Sequence, residues 1–124
     1  MATLTLFIYG TLKRGSPQNR LLTGQQFLGT AETLPQYRLY ENGLYPCLVH
    51  DQDHGTTVHG ELWTVTEQTL ASIDEYEGAP SVFSRQPIAI AGQEAPVWAY
   101  FFLGDVSSFR DCGGTWPSPS SGSL

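Results

Sequence analysis

The sequence predicts an α+β domain: about seven short strands forming a small mixed β-barrel or a strongly curved sheet, with one main helix. Three observations carry this. Apolar residues recur in short runs separated by turn-forming residues. Gly (13) and Pro (8) are frequent enough to punctuate the chain about every six residues, too often for long helices. Only residues 66–78 combine helical spacing with a capping signal at both ends.

Residues 3–9 alternate threonine with apolar side chains, turn wholly apolar and break at Gly10, as a strand entering a core does. A loop follows, and residues 17–22 suit a short helix opening on Pro17. Residues 27–33, 37–40 and 47–50 read as strands, the last two joined by the Glu41-Asn42-Gly43 turn signal. Residues 57–65 form a firmer strand, with Val58, Gly60, Leu62 and Thr64 on one face and His59, Glu61, Trp63 and Val65 on the other. Thr66 is the N-cap of a helix through about residue 76, and Gly78 is placed to end it. Residues 83–91 and 96–103 are the last two expected strands. A single domain over 1–112 is expected, with a mobile Gly/Ser/Pro-rich tail over 113–124.

With 124 residues, 40% hydrophobic and 15% charged, the chain is long enough to bury one core without disulfides. Its net charge of −6 is uneven: residues 1–40 hold Lys13, Arg14, Arg20 and Arg38 against Glu32 alone, while eleven acids face Arg85 and Arg110 in the remainder. An acidic whole argues against nucleic-acid binding, which rests on phosphate neutralisation. Cys47 and Cys112 form no disulfide framework and no CxxC pair, so both are expected reduced. No apolar run reaches the ~18 residues of a membrane span and the N-terminus lacks a signal-peptide pattern, so a cytoplasmic location without membrane contact is expected.

In the helical segment, Leu70, Ile73 and Glu77 fall at i, i+3 and i+7, on one face, with Glu75 on the opposite side. Burial and the negative end of the helix would both raise the pKa of a carboxylate at position 77, as a general base at neutral pH requires. Spacing alone leaves a second reading open, in which the last turn frays and Asp74, Glu75 and Glu77 are all solvated. Gly10 poses a similar pair of readings. It lets a ligand approach the backbone, whose following N–H groups can bind a carboxylate or an oxyanion, or it is an ordinary strand-to-loop glycine. No GxxxxGK[ST] phosphate loop is present.

Taken together, four segments resemble the γ-glutamylcyclotransferase-like superfamily. Tyr9-Gly10-Thr11-Leu12-Lys13 is similar to its YGTL(K) signature, and Gly43-Leu44-Tyr45-Pro46 to its glycine-to-proline turn. Val58-His59-Gly60-Glu61-Leu62-Trp63 resembles its VxGEly strand, and Ile73-Asp74-Glu75-Tyr76-Glu77-Gly78 its (L/I)DxxEG motif. The order and spacing agree from residue 6 to about residue 103, and the first segment looks most like the γ-glutamylamine cyclotransferase branch and its small bacterial relatives. The resemblance implies an enzyme that cyclises a small γ-glutamyl substrate to 5-oxoproline and releases an amine or amino acid, with Glu77 as the catalytic carboxylate. It implies a substrate site from Tyr9, Gly10, Thr11, Leu12, Gly43 and Tyr100, no metal, no cofactor, and a monomer or weak homodimer. Many members carry Tyr where this chain has Phe83, so that hydroxyl is absent or supplied by another tyrosine such as Tyr100. The main alternative is a non-catalytic small-molecule binding protein on the same fold. A related ring-closing step on a larger γ-glutamyl-protected substrate is also open.

His50-Asp51-Gln52-Asp53-His54 with His59 fits no zinc spacing and reads as a turn between strands. Cys47 lacks a positioned histidine and reads as an inert thiol. Trp63, Trp98, Tyr100, Phe101 and Phe102 are expected as core or pocket wall.

Overall fold

The computed structural model describes residues 2–117. It contains eight strands and one α-helix: β1 (Thr3–Ile8), β2 (Gln26–Glu32), β3 (Tyr37–Glu41), β4 (Pro46–His50), β5 (His59–Thr66), α1 (Glu67–Glu77), β6 (Phe83–Pro87), β7 (Trp98–Phe102) and β8 (Arg110–Gly113). The strands do not close into a barrel. They form a five-stranded sheet of order β2-β5-β1-β7-β6 and a three-stranded sheet of order β4-β3-β8. The expected short helix is a 3₁₀ turn over Asn19–Leu22.

Strand β1 organises the larger sheet. It pairs antiparallel with β5 from Thr3↔Thr66 to Ile8↔Glu61 and parallel with β7 at Leu6↔Trp98. Both its faces are covered, which is why the run becomes wholly apolar: Leu6 and Ile8 pack with Leu22, Trp63, Ile73 and Tyr100, whereas Phe7 packs with Leu39, Leu48, Val58 and Phe101. The two faces read for β5 divide the same way, Leu62 joining the second group and Trp63 and Val65 the first. Ile73 is fully buried and holds α1 against this core, worth about 2 kcal/mol.

The C-terminal end differs from expectation. Residues 110–117 do not begin a free tail at 113: Gly113 ends β8, the Gly114 carbonyl accepts from His59 N at 2.8 Å, and the Trp116 indole donates to Glu41 at 2.7 Å. A strand so rich in Gly and charge carries no alternation, so its pairing with β3 is what makes it a strand. Residues 118–124 of the expected tail lie outside the described residues. The strand expected over 83–91 stops at Pro87, with Ile90 retaining only an isolated bridge to Thr33. No helix among the described residues is long and apolar enough to cross a membrane.

Candidate active site

Helix α1 starts and stops where its caps dictate. The Thr66 hydroxyl accepts from Thr69 N at 3.3 Å, and Gly78 turns left-handed (φ +68°) so that its N–H caps the Asp74 and Glu75 carbonyls. Glu77 is thus the last helical residue. Its side chain continues the Leu70–Ile73 line into a cavity of about 290 Å³ between the end of α1 and the loop that leaves β1. Tyr9, Gly10, Thr11 and Leu12 line that cavity from the loop, and Tyr45, Phe83 and Tyr100 supply aromatic wall. Glu75, on the other helix face, is exposed.

The Glu77 carboxyl is pushed up to about 7, and burial is the cause, with no ion pair or donated hydrogen bond among the described residues to offset it. The last turn of α1 is intact through Glu77 and capped by Gly78, and Glu77 lines the cavity, unlike the frayed-turn reading. Neighbouring groups register its presence. The Tyr9 phenol, fully enclosed, is raised by burial and then by the Glu77 charge, and its hydroxyl donates to the Tyr100 carbonyl at 2.6 Å. Cys47 is pushed up to about 12 by burial first and Glu77 second, so its thiol stays protonated and is no nucleophile. Both cysteines are free and buried.

The loop after β1 is shaped by contact as well as by chemistry. A Cβ on Gly10 would sit 2.6 Å from Pro46 Cγ, so the glycine is there to admit the proline ring. The Gly10 carbonyl accepts from Lys13 N at 3.0 Å, closing a turn, while the N–H groups of Thr11 and Leu12 make no backbone hydrogen bond among the described residues. Both residues line the cavity, and backbone N–H groups without partners are what an anion or oxyanion site needs. Thr11 Oγ1 and the Tyr76 hydroxyl, 2.8 Å apart, tie this loop to α1.

Two expected residues have other employment. Gly43 does not line the cavity. It sits at φ +96° in a turn held by Asn42 Oδ1, which accepts from Leu44 N and Tyr45 N, and the turn delivers Tyr45 and Pro46 to the cavity instead. Tyr100 lines the cavity, but its hydroxyl donates to Asp74 Oδ1 at 2.5 Å, while Arg85 Nη2 lies 3.2 Å from Asp74 Oδ2. It therefore does not lend a hydroxyl in place of the one missing at Phe83. Phe83 is buried against Tyr45 and Phe102 and makes that wall apolar. Asp74 and Arg85 were not expected to matter. Asp74 stood only as one position of the (L/I)DxxEG-like segment, and its pairing with Arg85 eleven residues on is encoded by no local spacing.

The histidines form no metal centre. His50 stacks on Phe101 at 4.2 Å and His59 contacts Glu32 at 3.1 Å; no cluster of three or more candidate metal ligands occurs among the described residues. In a second, more open cavity lies Glu61, 7% exposed, which accepts from Arg14 N and the Trp63 indole, each at 3.1 Å, and contacts Arg14 Nε at 3.5 Å.

A half-buried carboxylate and the loop that leaves β1 thus share one cavity. The family model for gamma-glutamyl cyclotransferase, AIG2-like proteins matches residues 6–118, and the chain belongs to that family. A Vibrio cholerae protein named provisionally as a gamma-glutamylcyclotransferase is 37% identical over 108 residues, 87% of this chain and 91% of its own length. The gamma-glutamylaminecyclotransferase of Rattus norvegicus is 35% identical over 92 residues, 68% of this chain and 62% of its own length. The crystal structure of an AIG2-like protein from Mus musculus shares the fold, with a TM-score of 0.78 at 24% identity over 88% of this chain and 83% of that one.

Proposed function

We propose that this chain cyclises the γ-glutamyl group of a small cytoplasmic substrate to 5-oxoproline, releasing an amine or amino acid. The observation that carries the reading is the Glu77 carboxyl, raised by burial to about 7 in a cavity that Thr11 and Leu12, whose N–H groups make no backbone hydrogen bond among the described residues, also line. A substrate α-amino group has a reference pKa of about 7.7–8.0, close enough for Glu77 to take its proton without a large uphill step. The freed nitrogen attacks the γ-carbonyl carbon of the same molecule and closes a five-membered ring. Negative charge develops on the carbonyl oxygen, where the Thr11 and Leu12 donors stabilise it. Glu77 then returns its proton to the departing nitrogen as the old amide bond breaks, and the second proton of the ring nitrogen passes to the freed carboxylate and on to solvent or the released amine. Nucleophile and carbonyl belong to one molecule, so the cavity needs only to fold the substrate. None of these steps requires a second subunit, in keeping with a monomer or weak homodimer.

The test is incubation with γ-glutamyl-alanine, ε-(γ-glutamyl)-lysine, glutathione and a γ-glutamyl-alkylamine, with 5-oxoproline read by mass spectrometry and Glu77→Gln as control. Product from at least one substrate, lost in the variant, is expected. Binding of these compounds without product would overturn the reading in favour of a non-catalytic binding protein.

A further inference from the structure

Glu77 is the last residue of its helix, beside a left-handed glycine, and among the described residues its side chain has no hydrogen bond or ion pair to fix its place. One turn earlier, Asp74 is held from two strands at once: the Tyr100 hydroxyl of β7 donates to Oδ1 at 2.5 Å, and Arg85 Nη2 of β6 donates to Oδ2 at 3.2 Å. Tyr100 and Arg85 are themselves register partners in the β6–β7 ladder, so the clamp has a rigid base. The Asp74 backbone carbonyl also accepts from Gly78 N and from Ala79 N at 2.9 Å, which sets the exit of the helix. On the far side, the Tyr100 carbonyl receives the Tyr9 hydroxyl at 2.6 Å, so one residue joins the clamp to the loop that carries the Thr11 and Leu12 donors. The guanidinium Nε of Arg85 is buried with no partner among the described residues, and Asp74 is the carboxylate its Nη2 contacts.

We propose that Asp74 is the positioning residue of this site: through Arg85 and Tyr100 it clamps the last turn of α1 to β6–β7 and holds the Glu77 carboxylate at the cavity wall, in register with the Tyr9–Leu12 loop. The inference rests on Glu77 being the proton-transfer group of the proposed reaction. The groups around Glu77 are Tyr9 at the end of β1, Cys47 on β4, Tyr100 on β7 and Asp74 on its own helix, with Arg85 of β6 behind Asp74.

The experiment compares Asp74→Asn, Arg85→Met and Tyr100→Phe with the wild type. Steady-state kinetics are run on a γ-glutamyl-alkylamine, and the Glu77 carboxyl is titrated by ¹³C NMR, its resonance assigned with Glu77→Gln. Arg85→Met separates geometry from charge. Removing a cation would by electrostatics alone raise the Glu77 midpoint, whereas a loosened helix end lets the carboxylate into water and lowers it toward the ordinary 4.5. The expected result is a midpoint below 7 in all three variants that fold, with kcat reduced roughly 10- to 100-fold and KM little changed. A midpoint that stays or rises in Arg85→Met and Tyr100→Phe, with kcat unchanged, would overturn the proposal and leave Asp74 a purely structural residue. Because the titration needs no turnover, a wild type inactive on every substrate would count against the proposed reaction while the midpoints still decide the clamp.

Discussion

Glu61 is a buried carboxylate and Glu77 a half-buried one on a cavity wall, and their surroundings are opposite. Glu61, within β5, meets donors from the Arg14 backbone, the Arg14 side chain and the Trp63 indole, all within 3.5 Å. Glu77, at the end of α1, faces Tyr45, Phe83 and Tyr100, and burial alone determines its protonation. A carboxylate saturated with donors holds parts of a fold together, because its desolvation is offset bond by bond. One left without donors is costly to ionise, and that cost is what makes it able to exchange a proton near neutral pH.

The comparison breaks most visibly on substitution of the reactive member. Glu77→Gln keeps the shape and removes the proton carrier, so turnover should fall at least about 10³-fold while far-ultraviolet circular dichroism stays unchanged. Residual activity within a few-fold of wild type would mean that the proton is carried elsewhere. Glu61→Ala should do the reverse. It leaves the Trp63 and Arg14 donors unsatisfied, and urea melts should show a loss of about 3 kcal/mol, with the turnover of folded protein retained.

A third expectation turns on pH. The Glu77 midpoint is raised on folding from an ordinary 4.5 to about 7, so the folded state holds the proton more tightly than the unfolded one. Its contribution is fully present below about pH 4.5 and is lost as pH rises through 7. Glu77→Gln has no such charge to bury. It should exceed the wild type by about 2 kcal/mol at pH 8, allowing for the part of the side chain that reaches water, with the gap closing by pH 5. Parallel denaturant melts at the two pH values check this, and equal gaps at both would contradict it. The smallest effect belongs to Glu75→Gln, on the exposed helix face, which should leave kcat within about twofold of wild type.

How much of this was legible in the sequence follows from the range of the interactions. The caps of α1, Thr66 and Gly78, act within four residues, and the i, i+3, i+7 spacing of Leu70, Ile73 and Glu77 needs only helical geometry. Both could be read directly. The eighth strand could not, since Arg110–Gly113 owes its conformation to β3, about 70 residues earlier in the chain. The sheet's failure to close was equally hidden, because strand count and length are compatible with either a barrel or two sheets. In the site, Glu77 and the Tyr9–Leu12 loop were identified from local sequence and family resemblance, whereas Gly43 came from resemblance alone and stands outside the cavity. Asp74, Arg85 and the committed hydroxyl of Tyr100 depend on three elements meeting, which no single window of sequence contains.

The contact between Gly10 and Pro46 has an evolutionary consequence. With a side-chain carbon at position 10 falling 2.6 Å from the proline ring, the two positions behave as one inherited character rather than two. A lineage that enlarges residue 10 must first shrink residue 46, and the intermediate gene, with the proline gone and the glycine still in place, opens a gap beside the very loop that presents the Thr11 and Leu12 donors. Descent through that intermediate would pass through a loosened cavity wall, so drift at this corner of the protein proceeds by paired replacement or not at all.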